Sequence, residues 1–155
     1  MKRNKYVFLL GTLLLSFLFG CSSTANAPST HTVTLIAKST ETEFWLSVFA
    51  GAEAAAAEYN MNLKIVGPKT EEDYETQNQM VADTVEGGTE ALIFSAIHYD
   101  KNATAIDAAS QSGVEIVAID SNVASDAVST YIGTDNYAAG QMAAQAALER
   151  VDGQL

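Results

Sequence analysis

Short runs of apolar, β-prone residues alternate along the chain with longer segments in which the apolar positions recur at helical spacing. The central residues of the first four runs, Leu35, Ile65, Leu92 and Val117, are separated by 30, 27 and 25 positions. That separation is the length of a strand followed by a crossover helix and its turns. The strands are predicted over 33–37, 63–66, 91–94, 116–119 and 130–132. The pattern therefore predicts an α/β fold, a three-layer open parallel sheet flanked by helices.

The helical segments carry start signals and apolar stripes. Thr40 and Glu43 have the spacing of a capping box ahead of a helix predicted over 44–60, and Asp135 or Asn136 is predicted to cap the last helix. One stripe of the first helix is predicted to face the sheet, and it consists of Trp45, Val48, Phe49, Ala52, Ala56 and Tyr59.

A parallel sheet with crossovers on both faces binds its ligands beyond the carboxyl ends of the strands. In this chain those ends are predicted at residues 39–45, 95–100 and 120–122. A binding site on this fold is therefore predicted from these three segments.

The amino terminus has the order of a bacterial lipoprotein signal: a basic start, an apolar run over 6–19 and then Gly20-Cys21. Residues 1–20 are predicted to be a removable signal peptide and Cys21 the lipidated residue, which would tether the protein to a membrane without spanning it. Alternatively, Cys21 could be a buried structural thiol, a redox-active cysteine or a metal ligand. The redox and metal roles both need partner groups. Residues 21–32 are small and polar and predict a flexible tether.

The charge balance argues against some partners. The 155 residues carry a formal charge of −11, and three of the eight Lys and Arg residues lie in the predicted signal. The remaining acidic body would repel nucleic acid and anionic lipid, so neither is an expected partner.

The sequence lacks the motifs of common α/β enzymes. The sequence contains no GxxxxGK[ST] loop, no GxGxxG after the first strand and no G-x-S-x-G elbow, which argues against phosphate cofactors and against a hydrolase of that type. His31 and His98 have no partners at zinc-binding spacing, so no metal is predicted, and their simplest interpretation is as polar residues of the tether and of a loop. No cofactor is expected, and the sequence predicts a protein that is not an enzyme.

Four features carry a family resemblance: the segment 39–45 (STETEFW), the Gly51-Ala52 pair, Asp120 after the fourth strand, and the segment 131–140 (YIGTDNYAAG). Together they resemble the ribose-binding-protein-like solute-binding proteins of bacterial sugar importers, which are type I periplasmic binding proteins. The resemblance extends from about residue 33 to the end of the chain. It implies two α/β lobes that close around a sugar, and a closed form that docks on the permease of an ABC transporter.

The resemblance also implies site residues. Phe44 and Trp45 match the aromatic pair that stacks on the sugar ring, and Asp120 matches the carboxylate that accepts from its hydroxyl groups. Thr42 and Ser95 match polar ligand positions. Alternatives remain open, because Trp45 also continues the apolar stripe of its helix, Asp120 could cap a helix or turn, and Thr42 and Ser95 could be local backbone caps.

Two departures from the family pattern bear on function. Sugar binders of this type often have Arg directly after the strand-four Asp, whereas this chain has Ser121-Asn122, so ribose itself should not be assumed. Family members also run to roughly twice this length. By that comparison residues 33–133 form the first lobe, and residues 134–155 form a hinge crossing and the first helix of an incomplete second lobe, which predicts weak or no sugar affinity for this chain alone.

The leading functional hypothesis is a lipid-anchored, sugar-binding component of an ABC importer. A sensory or quorum-signal binder of the same fold, feeding a receptor, is the main alternative. An α/β enzyme is a third hypothesis, disfavoured because no nucleophile, metal cluster or phosphate loop is visible.

Overall fold

The computed structural model describes residues 31–151. Strands and helices alternate along this part of the chain. The strands are β1 (Thr32–Ile36), β2 (Asn62–Val66), β3 (Ala91–Phe94), β4 (Glu115–Ile119) and β5 (Val128–Ile132). The helices are α1 (Glu43–Glu58), α2 (Tyr74–Glu86), α3 (Ala103–Gln111) and α4 (Asn136–Arg150). Each strand predicted from the sequence is present, with boundaries shifted by at most two residues.

The strands form one five-stranded sheet in the order β2-β1-β3-β4-β5, and every neighbouring pair is parallel. The connection from β1 to β2 runs to one side of β1, and the connection from β2 to β3 returns to its other side. The direction of winding therefore reverses between β1 and β3. The predicted α/β parallel sheet is confirmed.

Both faces of the sheet are covered, because successive strand residues point to opposite sides. On one face Leu35 and Ala37 pack with Trp45 and Phe49 of α1. On the other face Ile36 belongs to a larger cluster with residues of β3, β4, α2, α3 and the loops beside them, namely Val81, Leu92, Phe94, Ala96, Ile106, Ala109, Val114, Ile116 and Val123. The three-layer arrangement follows from these two cores.

The start of α1 differs from the capping box predicted at Thr40 and Glu43. Thr42 is the N-cap residue, and its side chain accepts a hydrogen bond from the backbone N–H of Trp45. The helix ends at Glu58, so Tyr59, predicted to lie on the buried stripe, is exposed. A terminal residue has no following turn to hold its ring against the sheet.

The last helix, α4, stands apart from the rest of the described structure. Asp135 caps it by accepting from the N–H of Ala138, and its alanine content favours helix without tertiary support. None of its described residues is buried, and Tyr137 and Met142 are among the exposed apolar side chains. Among residues 31–151, no helix combines the length and apolar character that crossing a bilayer requires.

The predicted signal peptide, Cys21 and nearly all of the predicted tether lie outside the described residues. Thr32, assigned to the tether, is instead the first residue of β1. His31 was interpreted as an uninvolved tether residue, but its Nδ1 lies 2.8 Å from Glu90 Oε2. This hydrogen bond, with a second from the N–H of Thr32, lowers the pKa of Glu90.

Gln77 of α2 braces the carboxyl ends of the central strands. Its side chain is fully buried, and its Nε2 donates to the carbonyl oxygens of Ala37 and Ser95. Its Oε1 accepts from the N–H of Ile97, 3.1 Å away. One amide group thus satisfies three backbone groups at the point where β1 and β3 end, and this holds the edge that carries the candidate site.

We expect Gln77→Leu to lower the free energy of unfolding by at least about 2 kcal/mol, because it leaves buried backbone groups without partners. Gln79→Leu is the matched control on the same helix. Its amide is exposed and bonds only to Asp83 in the described structure, so a change within about 0.5 kcal/mol is expected. Urea denaturation measures both. Equal effects of the two substitutions would contradict the bracing role.

Candidate functional site

A cleft lies at the carboxyl edge of the sheet, beside the point where the winding reverses. One hollow of about 400 Å³ is lined by Lys38, Thr42, Phe44, Trp45, Glu71 and Asp120. A second, of about 420 Å³, shares Phe44 and Asp120 and extends along residues 132–136, where it is lined by Ile132, Gly133, Thr134 and Asn136. The segments after β1, β4 and β5 therefore meet at one site, as parallel pairing requires.

Asp120 lies at the centre of this cleft and has an unusual backbone. Its φ is 58°, in the left-handed region that Asp tolerates better than most residues. The N–H of Asp120 donates to the carbonyl of Ile132, and its carbonyl accepts from the hydroxyl of Tyr131 at 2.8 Å. These bonds to β5 hold the turn that directs the carboxylate into the cleft.

The carboxylate of Asp120 is held on one oxygen only. Lys38 Nζ lies 2.9 Å from Oδ2, Ser95 Oγ donates to the same oxygen at 3.2 Å, and Ser121 Oγ approaches it at 3.4 Å. No group among residues 31–151 bonds to Oδ1. Oδ1 is therefore without a protein partner among these residues, on a side chain that lines the cleft.

Ser95 does not line either hollow. The residue is fully buried, and its backbone is held by Gln77 and by the bond from its N–H to the carbonyl of Ile36. Its position behind Asp120 fits a residue that orients the carboxylate. The predicted direct contact of Ser95 with a ligand remains a prediction, as does that of Thr42, which lines the cleft but whose hydroxyl also caps α1.

The two aromatic residues differ in exposure. Phe44 is 56% exposed and lines both hollows, whereas Trp45 is 1% exposed and packs against Phe49 with the rings 6.3 Å apart. The two neighbours meet edge to face at 5.1 Å. Phe44 thus offers a free ring surface to the cleft, while Trp45 supports it from the core and presents only a small part of its ring.

Sequence reasoning missed Lys38 and Glu71. Lys38 could have been found, because a cation two residues after the first strand lies at the same sheet edge as an Asp directly after the fourth. Glu71 precedes α2 in a loop, and no pattern in the sequence brings it to the site. Its Oε1 accepts from Trp45 Nε1 at 2.9 Å and fixes the indole in place.

The cleft combines an aromatic face, a carboxylate oxygen and an ammonium group. Such a set can bind an uncharged ring with polar substituents by stacking and hydrogen bonding. Within the described residues, no three His, Cys, Asp or Glu side chains are grouped as a metal site would need. A further hollow of about 250 Å³ lies between α2 and α3 and contains none of the predicted site residues.

The ring of Tyr131 lies against Gly133 and occupies the space that a side chain at position 133 would need. A Cβ atom at Gly133 would lie within 3.0 Å of the Tyr131 ring and clash most severely with its hydroxyl. Tyr131 donates to the backbone carbonyl of Asp120, so this contact connects the turn at Asp120 to the backbone at Gly133.

We expect Trp45→Ala to destabilise the protein by about 3–5 kcal/mol, because it opens a cavity in the core under α1. Phe44→Ala should cost less than about 1 kcal/mol, since more than half of that ring is already in solvent. Thermal or urea unfolding of the two variants measures the difference. A large loss of stability in the Phe44 variant would show that this ring belongs to the core.

We expect Gly133→Ala to displace Tyr131 and remove its bond to Asp120, at a cost of about 1 kcal/mol. In a Tyr131→Ala background the same substitution should cost nothing more, because the obstructing ring is gone. Gly51→Ala is the control, since Gly51 lies in α1 with open space at its Cβ position and the change should stabilise by up to about 1 kcal/mol. Additive losses at positions 131 and 133 would contradict this coupling.

Comparison with known proteins agrees with this architecture. Residues 33–154 match the family described as periplasmic binding protein domain. The ribose import binding protein RbsB of Bacillus subtilis (strain 168) is 28% identical over 150 residues, which cover 91% of this chain and 48% of that protein. The chain thus spans about half the length of the relatives it matches.

Solved structures show the same fold. A carbohydrate transporter solute binding protein from Agrobacterium radiobacter, in complex with D-arabinose, superposes with a TM-score of 0.74 at 28% identity, covering 82% of this chain and 44% of that one. A chain of the XylFII-LytSN complex matches with a TM-score of 0.66 at 27% identity, covering 78% of this chain and 44% of that one.

The resemblance drawn from segments 39–45 and 131–140 is confirmed by these matches. The family is one of binding proteins rather than enzymes. With its parallel sheet, its cleft at the strand ends and a family match over residues 33–154, the chain belongs to the periplasmic binding proteins of the ribose-binding type.

Proposed function

We propose that this chain provides the amino-terminal lobe of a solute-binding protein of an ABC importer, which binds a monosaccharide or related polyol non-covalently. The observation that carries the proposal is the pairing of the exposed Phe44 ring with the free Oδ1 of Asp120 across one cleft. A sugar ring has apolar C–H faces and hydroxyl groups at its rim, and it matches this pair without a metal or a covalent step.

In this proposal each predicted site residue has a role. Phe44 stacks on the ring, and Trp45 stacks at its edge while supporting Phe44. Asp120 accepts from ring hydroxyl groups, Thr42 contributes a polar contact at the start of α1, and Ser95 orients Asp120. The described residues cover one side of a ligand only. A sugar stacked on Phe44 would have its opposite ring face uncovered. Binding by this chain alone is therefore expected to be in the millimolar range.

Membership of this family implies an extracytoplasmic location. The lipid anchor at Cys21, the signal peptide over residues 1–20 and the docking of a closed form on ABC permease subunits belong to the proposal. The proposal also includes the domain division, with a first lobe over residues 33–133 and a hinge crossing and helix over residues 134–155. In that division the exposed face of α4 would contact a second lobe.

A sensory role is the second candidate. It is favoured by the similarity to XylFII, whose structure is known in a complex with LytSN. Genes next to this one for a permease and an ATPase would support the importer, whereas a kinase or chemoreceptor gene would support the sensor.

The binding proposal is tested by NMR titration of the chain with D-ribose and with D-arabinose, following backbone amide signals. We expect saturable shifts at the segments around Phe44 and Asp120, and weakening of binding by about tenfold in Phe44→Ala and in Asp120→Asn. Tyr99→Ala is the matched control, since Tyr99 is also 56% exposed but lies outside the cleft. Shifts spread evenly over the surface, or saturable shifts confined to a site outside the cleft, would overturn the proposal.

A further inference from the structure

The connection between β5 and α4 is short and is anchored at both ends. Before it, the carbonyl of Ile132 accepts from the N–H of Asp120, which fixes the end of β5 to the end of β4. After it, Asp135 caps α4, because its side chain accepts from a backbone N–H of the first turn. The backbone of Gly133 and Thr134 is therefore the part of the connection that sets the direction of α4 relative to the sheet.

Helix α4 is not held in its orientation by a core of its own. None of its described residues is buried. Within residues 31–151 its side-chain hydrogen bonds stay on the helix, from Gln141 to Tyr137 and from Gln145 to Glu149. Met142, an apolar side chain of the kind that the other helices bury against the sheet, is 73% exposed. The orientation of α4 therefore depends on the connection before it.

Tyr131 restrains the most flexible residue of this connection. Gly133 has no Cβ atom, so its backbone has more freedom than that of any other residue type. The ring of Tyr131 lies against Gly133 and fills the space beside it. The hydroxyl of Tyr131 donates to the carbonyl of Asp120 at 2.8 Å, which fixes the ring to the end of β4. One side chain thus connects Gly133 to the turn at Asp120.

The bond from Tyr131 can open without unfolding the sheet. The side chain is 43% exposed, and a neutral hydroxyl at the surface exchanges a carbonyl partner for water at little cost. When the phenol leaves, the bond from the N–H of Asp120 to Ile132 still holds β5 to β4. Two arrangements of the connection follow, one with the ring against Gly133 and one with the ring released.

We propose that Tyr131 is a latch, a positioning residue that sets the orientation of α4 by holding Gly133 against the turn at Asp120. With the phenol bonded, α4 keeps one direction relative to the sheet. With the phenol released, α4 pivots about Gly133 while the hydrogen bonds of the helix and of the sheet stay intact. The latch concerns the connection to α4 and not a contact with a ligand, so it goes beyond the proposed function and does not depend on sugar binding.

A matched control lies at the other end of the same strand. Ser129 Oγ donates to the carbonyl of Ile116 at 2.8 Å, so Ser129 and Tyr131 both bond from β5 to a backbone carbonyl of β4 or of the residue after it. Loss of either hydroxyl is expected to weaken β5 to a similar extent. Only the loss at Tyr131 is expected to change the orientation of α4.

The test measures the orientation of α4 in the isotope-labelled chain by residual dipolar couplings in a stretched polyacrylamide gel, with no sugar present. In the unmodified chain we expect the couplings of α4 and of the sheet to fit one alignment tensor. Tyr131→Phe should shift the ratio of latched to released forms about fivefold toward release, the effect of one lost neutral hydrogen bond, so that the couplings of α4 shrink relative to those of the sheet. In Ser129→Ala the two sets of couplings should stay in proportion.

A second set of variants tests the role of Gly133. In Tyr131→Ala the ring is lost as well as the hydroxyl, and the couplings of α4 should shrink at least as much as in Tyr131→Phe. The backbone of Gly133 lies outside the left-handed region, so alanine fits there once the ring is absent. Adding Gly133→Ala should restore part of the couplings, because a Cβ atom narrows the freedom that the ring no longer restrains. Adding Gly140→Ala instead, within α4 where a Cβ atom meets open space, should restore none.

Couplings of α4 that are unchanged in Tyr131→Phe, or that shrink equally in Ser129→Ala, would overturn the latch. So would couplings of α4 that already fail to fit the tensor of the sheet in the unmodified chain. Because the measurement uses no sugar, the latch and the proposed sugar site can fail independently of each other.

Discussion

The hydrogen bonding of β1 to both β2 and β3 is the constraint on which the rest of the structure depends. Because β1 lies between β2 and β3 in a parallel sheet, the connection that leaves β1 and the connection that leaves β3 run in opposite directions and over opposite faces of the sheet. The carboxyl end of β1 is then left uncovered between them. Lys38 and the start of α1 lie at that end, and the neighbouring strands bring Ser95 and Asp120 to the same edge.

The cleft is preorganised by buried polar bonds behind it. Gln77 donates hydrogen bonds to backbone carbonyls at the ends of β1 and β3, one of them the carbonyl of Ser95. The hydroxyl of Ser95 in turn donates to the carboxylate of Asp120. The left-handed turn at Asp120 is held by β5, so a residue that lines both hollows is also bonded to the strand that leads to Gly133. The geometry of the cleft and that of residues 131–133 are therefore linked through Asp120.

Much of this could be expected from the sequence, for physical reasons that act locally. Alternating apolar runs and helical stripes specify strands and helices because burial is decided residue by residue along each element. The recurrence of strands every 25 to 30 residues allowed few topologies other than a parallel sheet with crossovers. The positions of Phe44 and Asp120 at predicted strand ends placed both at one edge, and the family motifs around them gave the expected class of ligand.

What the sequence could not determine depended on contacts between distant segments. The different burial of Phe44 and Trp45 depends on the rotation of α1, whose N-cap is Thr42 and not Thr40. The Phe44 ring is exposed at the cleft, whereas the indole of Trp45 is buried and bonds to Glu71. The ion pair of Lys38 with Asp120 joins residues more than eighty positions apart, and only the sheet order β1-β3-β4 makes it possible. The sequence by itself determined the layers and the edge of the sheet that carries the site, because periodicity encodes burial. The tertiary structure alone decided which side chains meet there and which atoms remain free, because hydrogen-bond partners are chosen across strands and not along them.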